Sequence, residues 1–558
     1  MRQSIEDFEA YLGNPHTDVE FSYERCARLD AAEEFPAQII RLLNDWGLHH
    51  HYVPAEFGGA LTDFVTPPQL IRAVARRDLT VAIAHGKTFL GGVSAWVAPV
   101  TGHTRALAGK VLGGHPVSWG LTEREHGSDL LAGEVTADAV TGGYRISGEK
   151  WLINNATQGR VVTVLARSDR AGGARGFDVF VVDKHELPAE SFRCLPKVRT
   201  DGIRGADISG ISFDGAMVPT SARLGEPGTG LEIVLKGLQL TRTLCSALSL
   251  GAGDHALALA MSFAGNRSLY DRVLIELPRA RRVLANAYAD HLLNEVLAVT
   301  GVRSIHTMPG DLGLVSAIVK YLLPTRTDKM LTELGRLLGV RSQLADGRFE
   351  KLARDHRIVG IFDGNTVVNL RAIINAFPMV ARRDDGDVAG TFDLGGSLPP
   401  LDRGKLSLMS RHGCRIIRSL PRSVARLAEL AGARPELVPV ARLAQDLLER
   451  SNRTLVEVAA YRPTPVRVPR RAFTLAEQFA LDVAGAAAIG VWLANHEAEA
   501  GSPFWRHGIW LHAVLARSLS APSTVDADDA LLAELSAQYA GGRSFSLTPH
   551  RLAEGMRS

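Results

Sequence analysis

Cysteine is scarce in this chain of 558 residues: Cys26, Cys194, Cys245 and Cys414 are scattered with no CxxC spacing. That pattern argues against a disulfide framework or a zinc site and fits a reducing, cytoplasmic setting. A surplus of one charge is also missing. The 63 basic residues stand against 60 acidic ones, a formal net charge of +3, so no overall field argues for nucleic acid or an anionic membrane as partner. Local runs such as Arg279, Arg281 and Arg282 read as solvated helix faces. No uninterrupted apolar run reaches the roughly 18 residues of a membrane span, and the opening MRQSIEDFEAYLG lacks the apolar segment of a signal peptide. A soluble, unprocessed chain is the expectation. No metal is expected either, because His49, His50 and His51 precede Val53-Pro54 without a partnering carboxylate. The glycine-rich GEPGTG beginning at Gly225 lacks the Lys-Ser/Thr that completes a phosphate loop.

What is present is enough apolar material for several cores, 46% of the residues, over a length that predicts roughly three or four domains. From Ile5 to about Gly113 apolar residues recur at helical spacing, broken by YVPAEFGG and by Pro67-Pro68. From Pro116 to about Leu224 the pattern turns to short β-rich runs. GEVTADAV and YRISGEKW flank a hairpin signal at Thr141-Gly142-Gly143, and VVTVLARS, FDVFVVD and ISGISFDG follow. Beyond Pro227 long helical periods return and continue to about Phe377. A stretch rich in Gly, Asp and Pro, in which Asp384, Asp385 and Asp387 read as solvated, precedes a further alanine-rich helical region. The predicted class is α+β: an N-terminal helical domain (1–115), a central β domain (116–225), a helical bundle (226–380), a linker (381–400) and an additional helical domain (401–558).

Two segments of the β domain carry the chemistry, WGLTEREHGSD (Trp119 to Asp129) and GEKWLINNA (Gly148 to Ala156). Small residues and hydroxyls beside strand ends permit close approach of a planar ring and a phosphate. An ordinary hairpin with polar turns would read the same way. The order of blocks is more specific. Both segments, together with FPAQIIRLLNDWGLHHHYVPAEFGG, GIRGADISGISFDGAMVP, RLGEPGTGLEIVLKGLQLTR and LARDHRIVGIFDGNT, resemble the acyl-CoA dehydrogenase family in the family's own order, from about Phe35 to Phe377.

The resemblance implies FAD and a thioester substrate. It places Leu121 and Thr122 where backbone and hydroxyl groups hold the flavin ring, Ser128 near the pyrophosphate, and Asn154 where a threonine usually meets the flavin N5. Leu152 stands for an aromatic residue that often covers the ring. Arg267 matches an arginine that reaches the neighbouring subunit's FAD, although Tyr270 and Asp271 depart from the family's Phe-Gly and a helix-end surface arginine would look the same. Asp363 stands where the family has its catalytic glutamate, one methylene shorter, and Asn365 after it joins the implied cofactor-binding positions. Thr241 cannot act as a carboxylate base before Arg242. A bare D-G-N turn remains the alternative for Asp363. The implied reaction is α,β-dehydrogenation of an acyl thioester carried on coenzyme A or an acyl carrier protein, with an electron-transfer flavoprotein as possible acceptor and a homodimer as assembly. An acyl-CoA oxidase, a flavin monooxygenase and a non-catalytic homologue are the rivals.

Overall fold

The computed structural model describes residues 4–381, 388, 390–410, 412–464, 467–522 and 525–556; Asp384, Asp385 and Asp387 lie outside these. The chain forms two compact units, one of residues 19–241 and one that joins residues 1–18 to residues 242–558.

In the unit of residues 19–241, helices Tyr23–Ala32, Ala37–Trp46, Thr66–Arg77, Leu79–Val97 and Gly102–Leu112 precede a sheet of eight strands. Pro67 and Pro68 do not break a helix but open Thr66–Arg77. First-turn N–H groups have no helical partner, so a proline loses nothing there. The strands are β1 (Val117–Gly120), β2 (Thr136–Val140), β3 (Gly143–Asn154), β4 (Val161–Arg167), β5 (Phe177–Asp183), β6 (Phe192–Leu195), β7 (Ile208–Pro219) and β8 (Arg223–Leu224). Their spatial order is β6-β7-β3-β2-β4-β5-β8, with β1 parallel to β4. The expected hairpin forms: β2 and β3 pair antiparallel with Val140 opposite Gly143, and Gly142 takes the φ of +85° that so short a turn requires. Ile146, Val164, Phe180, Ile211 and Phe213 form part of the buried core. β5 is buried at every position, which is why it shows no apolar–polar alternation; Asp178 within it accepts from Ser168 Oγ and from the Gly228 N–H.

The other unit is helical. Ser246–Asn266, Pro278–Thr307 and Leu312–Leu338 pack on one another, and Thr366–Val380 packs on Leu312–Leu338. The helices beyond residue 400 are continuous with them, since Arg470–Asn495, Ile509–Leu519 and Val525–Ala540 all pack on Pro278–Thr307. Helix Ile5–Leu12 belongs here because Glu6 and Glu9 accept the backbone N–H groups of Arg551 and Ala553. Two helical stretches, Gly230–Asn266 and Arg470–Asn495, are long and apolar enough to span a membrane, but 83% and 72% of their apolar windows are buried inside the protein.

The described part of the linker is a strap. Arg303 donates to the carbonyls of Gly390 and Gly396 at 2.8 and 2.9 Å, and Asn495 clamps Phe392 and Leu394 at 2.8 and 2.9 Å. The Phe392 ring lies over Gly490, where a Cβ would stand 2.6 Å from it. Gly490→Ala is therefore expected to destabilise by about 1–3 kcal/mol, the usual cost of overpacking, and to shift the denaturant midpoint down. Gly432→Ala, on a helix where an added Cβ meets nothing within 4 Å, is expected to leave stability unchanged or raise it by up to about 1 kcal/mol.

Candidate active site

The candidate residues fall in both units. In the sheet unit, β1 delivers the chain to Leu121 and Thr122, whose carbonyls are taken at once by β3: Lys150 Nζ donates to Leu121 at 3.1 Å and the Trp151 N–H to Thr122 at 2.9 Å. Lys150 also reaches Glu123 Oε1 at 2.7 Å, and both side chains are buried. The Glu123 carboxylate accepts the N–H groups of Glu134 and Val135 as well, at 2.6 and 3.2 Å. Burial alone would raise its pKa, but Lys150 and the two N–H groups outweigh burial and hold it below the ordinary carboxyl value. Lys150 is pushed down by burial, with Glu123 opposing. The loop from Thr122 to Asp129 is thus fixed from beneath, and Ser128 stands exposed on it.

β3 ends in a bulge. The register with β7 shifts between Trp151 and Ile153, and Leu152 there has a φ of +55° and an exposed side chain. An extra residue in one strand must leave the ladder and re-aim its side chain. Beyond it Asn155 anchors the strand end, donating from Nδ2 to the Ala84 carbonyl at 2.9 Å and accepting at its own carbonyl from Ser118 Oγ at 2.6 Å. Asn154 makes no such side-chain bond; its Oδ1, like that of Asn155, is buried and meets no hydrogen-bond donor among the described residues. A buried amide oxygen left unpaired in a native structure calls for a physical explanation, of which a bound ligand is one.

In the helical unit the loop Ile361–Asn365 carries Asp363 at a φ of +55°. Arg242 Nε donates to the Asp363 carbonyl at 3.0 Å, and Cys245 Sγ donates to Asp363 Oδ2 at 3.3 Å. Burial pushes the Arg242 guanidinium below its ordinary value, and the Asp363 carboxylate opposes that. Gly364 has a φ of +97°, and a Cβ on it would meet Arg242 Nη2 at 3.0 Å, so only glycine lets the loop lie against the guanidinium. The Gly364 carbonyl accepts from Asn369 Nδ2 at 2.8 Å, and the buried Lys320 holds the Val359 carbonyl at 2.6 Å. Asn365 spends its side-chain oxygen on capping helix Thr366–Val380 through the Val368 N–H at 2.9 Å. Arg267 is exposed just after helix Ser246–Asn266. Tyr270 and Asp271 that follow both have positive φ, the two-residue turn that usually calls for Asn-Gly.

Residues 118–216 match the family model of the acyl-CoA dehydrogenase middle domain, and residues 228–377 that of the acyl-CoA dehydrogenase C-terminal domain. The chain belongs to the acyl-CoA dehydrogenase family. A probable acyl-CoA dehydrogenase of Mycobacterium tuberculosis, FadE25, is 27% identical over 357 residues, which cover 62% of this chain and 90% of the relative. The mitochondrial isovaleryl-CoA dehydrogenase of rice is 27% identical over 372 residues, covering 66% and 88%. Butyryl-CoA dehydrogenase from Megasphaera elsdenii shares the fold with a TM-score of 0.61 at 21% identity, over 66% of this chain and 96% of that one. The protein is an acyl-CoA dehydrogenase-like oxidoreductase. The acyl-CoA dehydrogenase domain models end at residue 377, so the helices beyond the strap lie outside them.

Sequence reading missed Cys245, Lys320, Asn369 and the Glu123–Lys150 pair. A lysine inside the apolar run LVSAIVKYLLP was a signal for Lys320, since an interior lysine needs partners; the others gave none. The buried pair yields a test. Lys150→Met leaves Glu123 buried and uncompensated, which is expected to cost about 3–5 kcal/mol, whereas Lys150→Met combined with Glu123→Gln should cost less. Because the folded pKa of Glu123 is depressed, its contribution is fully present above the unfolded carboxyl value of 4.5 and is lost as the pH falls through the folded value. Denaturant titrations at pH 7 and at progressively lower pH measure both. A Lys150→Met protein as stable as wild type at pH 7 would remove the pair from the account.

Proposed function

We propose that the protein catalyses FAD-dependent α,β-dehydrogenation of an acyl thioester, carried on coenzyme A or an acyl carrier protein, with Asp363 removing the α-proton. The observation that carries this reading is the fixing of Asp363. Its backbone is held by Arg242 and its carboxylate by Cys245, whereas a plain surface turn needs neither. A carboxylate so placed can take a proton from carbon onto an oxygen whose position is already set.

The polar atoms of the sheet unit fit a flavin. Thr122 is half-buried and Ser128 exposed on the loop after β1, and the Asn154 amide oxygen is buried without a donor among the described residues. Hydroxyls and an amide can each donate or accept, as the mixed edge of an isoalloxazine ring demands. FAD, when bound, supplies the acceptor for the β-hydride. Leu121 would hold the ring through its backbone, and Leu152, exposed at the bulge, would lie against it. Arg267 and Asn365 complete the proposed contacts. An electron-transfer flavoprotein as acceptor, a homodimeric assembly and a cytoplasmic location belong to the same proposal.

The purified protein is expected to be yellow, and anaerobic addition of an acyl thioester should bleach it. Asp363→Asn is expected to keep FAD and lose bleaching by a hundredfold or more, the order general-base catalysis contributes. Asp363→Glu should be no better than wild type, because the loop is set for the shorter arm. Bleaching that survives Asp363→Asn would move the base elsewhere. Activity created by Asp363→Glu in an inert wild type would favour the monooxygenase or non-catalytic reading, and oxygen consumption after bleaching would make the enzyme an oxidase.

Light scattering of the full chain is expected to give twice the monomer mass of 60.1 kDa. A stable tetramer would refute the dimer.

A further inference from the structure

The near-neutral total hides a strong segregation of charge. Residues 401–471 hold 15 Arg and Lys against six Asp and Glu, while the whole chain carries only +3, so everything else is net acidic. The positive end of this region lies against the helix that follows the candidate base. The Tyr461 ring meets Phe377 edge-on at 5.8 Å, and the Thr464 carbonyl accepts from Arg371 at 3.5 Å. Both Phe377 and Arg371 are on helix Thr366–Val380. Going from Tyr461 to Thr464 the chain therefore runs toward the end of that helix at which Asp363 stands. Arg371 is about 7.5 Å along the axis from Thr366 at the usual rise per residue.

Arg453, Arg462, Arg467, Arg470 and Arg471 on and beside this segment are all exposed. Arg471 pairs with Glu457 at 2.9 Å, and Arg462 donates to the carbonyls of Ala459 and Tyr461. Arg453, Arg467 and Arg470 meet no carboxylate among the described residues. A surface arginine commonly finds a neighbouring acid; here the acids are few, and like charges are held together at a cost in self-repulsion.

We infer that this basic surface docks an acidic acyl carrier protein, which presents its thioester to the site at the neighbouring end of helix Thr366–Val380. The inference rests on the thioester reading above and narrows its carrier. A small polyphosphate needs donors converging from a concave wall. These guanidinium groups instead stand exposed on the end of one helix, on a proline-flanked segment and on the start of another helix. A spread field of one sign is suited to a protein surface of the other sign, where it speeds encounter and sets orientation.

The test measures binding, which does not require flavin reduction. Full-length protein is titrated with fluorescently labelled, butyryl-loaded bacterial acyl carrier protein, and anisotropy gives Kd at low salt and at high salt. Wild type is expected to bind, with affinity falling about tenfold or more as salt screens the surface. The combined variant Arg462→Glu, Arg467→Glu, Arg470→Glu should lose at least tenfold. The milder Arg462→Gln, Arg467→Gln, Arg470→Gln set should lose less, and covers the case in which charge reversal disturbs folding. Arg193→Glu, an exposed arginine of the sheet unit, should change nothing. With butyryl-loaded carrier as substrate, KM should rise in the variants at unchanged kcat, while KM for butyryl-coenzyme A stays put. Wild type that does not bind the carrier, variants that bind as tightly as wild type, or an equal loss with butyryl-coenzyme A would each overturn the inference. Carrier binding without any bleaching would keep the docking surface and refute the dehydrogenase reading alone.

Discussion

A carboxylate proposed to take a proton from carbon must already be in place, and at Asp363 one half-buried guanidinium holds the backbone. Arg242 donates to the carbonyl of Asp363 rather than to its carboxylate, so the backbone is fixed while the carboxylate stays an acceptor. The contact works because Gly364 has no side chain in the way. The loop then hangs from Asn369 and from Lys320, which lie on two different helices. Under the proposed role of Asp363, a carboxylate one methylene shorter would still be placed by this backbone contact. Cys245 adds a thiol hydrogen bond to Oδ2, a weak donor that orients the carboxylate without neutralising it.

The sheet unit solves a different problem, that of keeping polar atoms unspent. Most asparagine side chains near the candidate sites are committed: Asn155 to the Ala84 carbonyl, Asn365 to a helix cap, Asn369 to two carbonyls of the base loop. Asn154 makes no such bond through its amide nitrogen, and its Oδ1, like the Oδ1 atoms of Asn155 and Asn369, is buried without a donor among the described residues. Leaving it so costs on the order of 1–3 kcal/mol, a penalty that a bound ligand would remove. The Lys150–Glu123 pair and the backbone bonds around it tie the neighbouring loop to β3.

Most of the fold was legible because it lies in local pattern. The hairpin at Gly142, the buried runs of β4 and β5 and the long helices all show in windows of a dozen residues. Pro67 and Pro68 misled because the same residue that breaks a helix interior is welcome in its first turn. The candidate site was legible only as positions in ordered blocks. The contact from Arg242 to Asp363 spans 121 residues, and no period or motif reports a pairing at that separation. Nor could sequence show that Asn365 is spent on capping, since Asn is equally suited to capping and to binding. The bulge at Leu152 was hidden for a similar reason: a single residue of register shift with β7, over 50 residues away, decides it.

The helices beyond residue 400 bear on the helix that begins beside Asp363. Thr366–Val380 packs on Leu312–Leu338 and also on Arg470–Asn495, so the element that begins beside Asp363 is gripped from both sides. The ring contacts of Phe377 with Tyr461 and Phe479 belong to the second grip. Displacing Arg470–Asn495 would uncover Phe377 and release the strap that Asn495 and Gly490 hold. The added helices are therefore part of the core that holds the helix beginning beside Asp363, and their charged outer surface adjoins that core. A partner bound to that surface would meet a fixed geometry, which is the condition under which docking can orient a substrate rather than merely concentrate it.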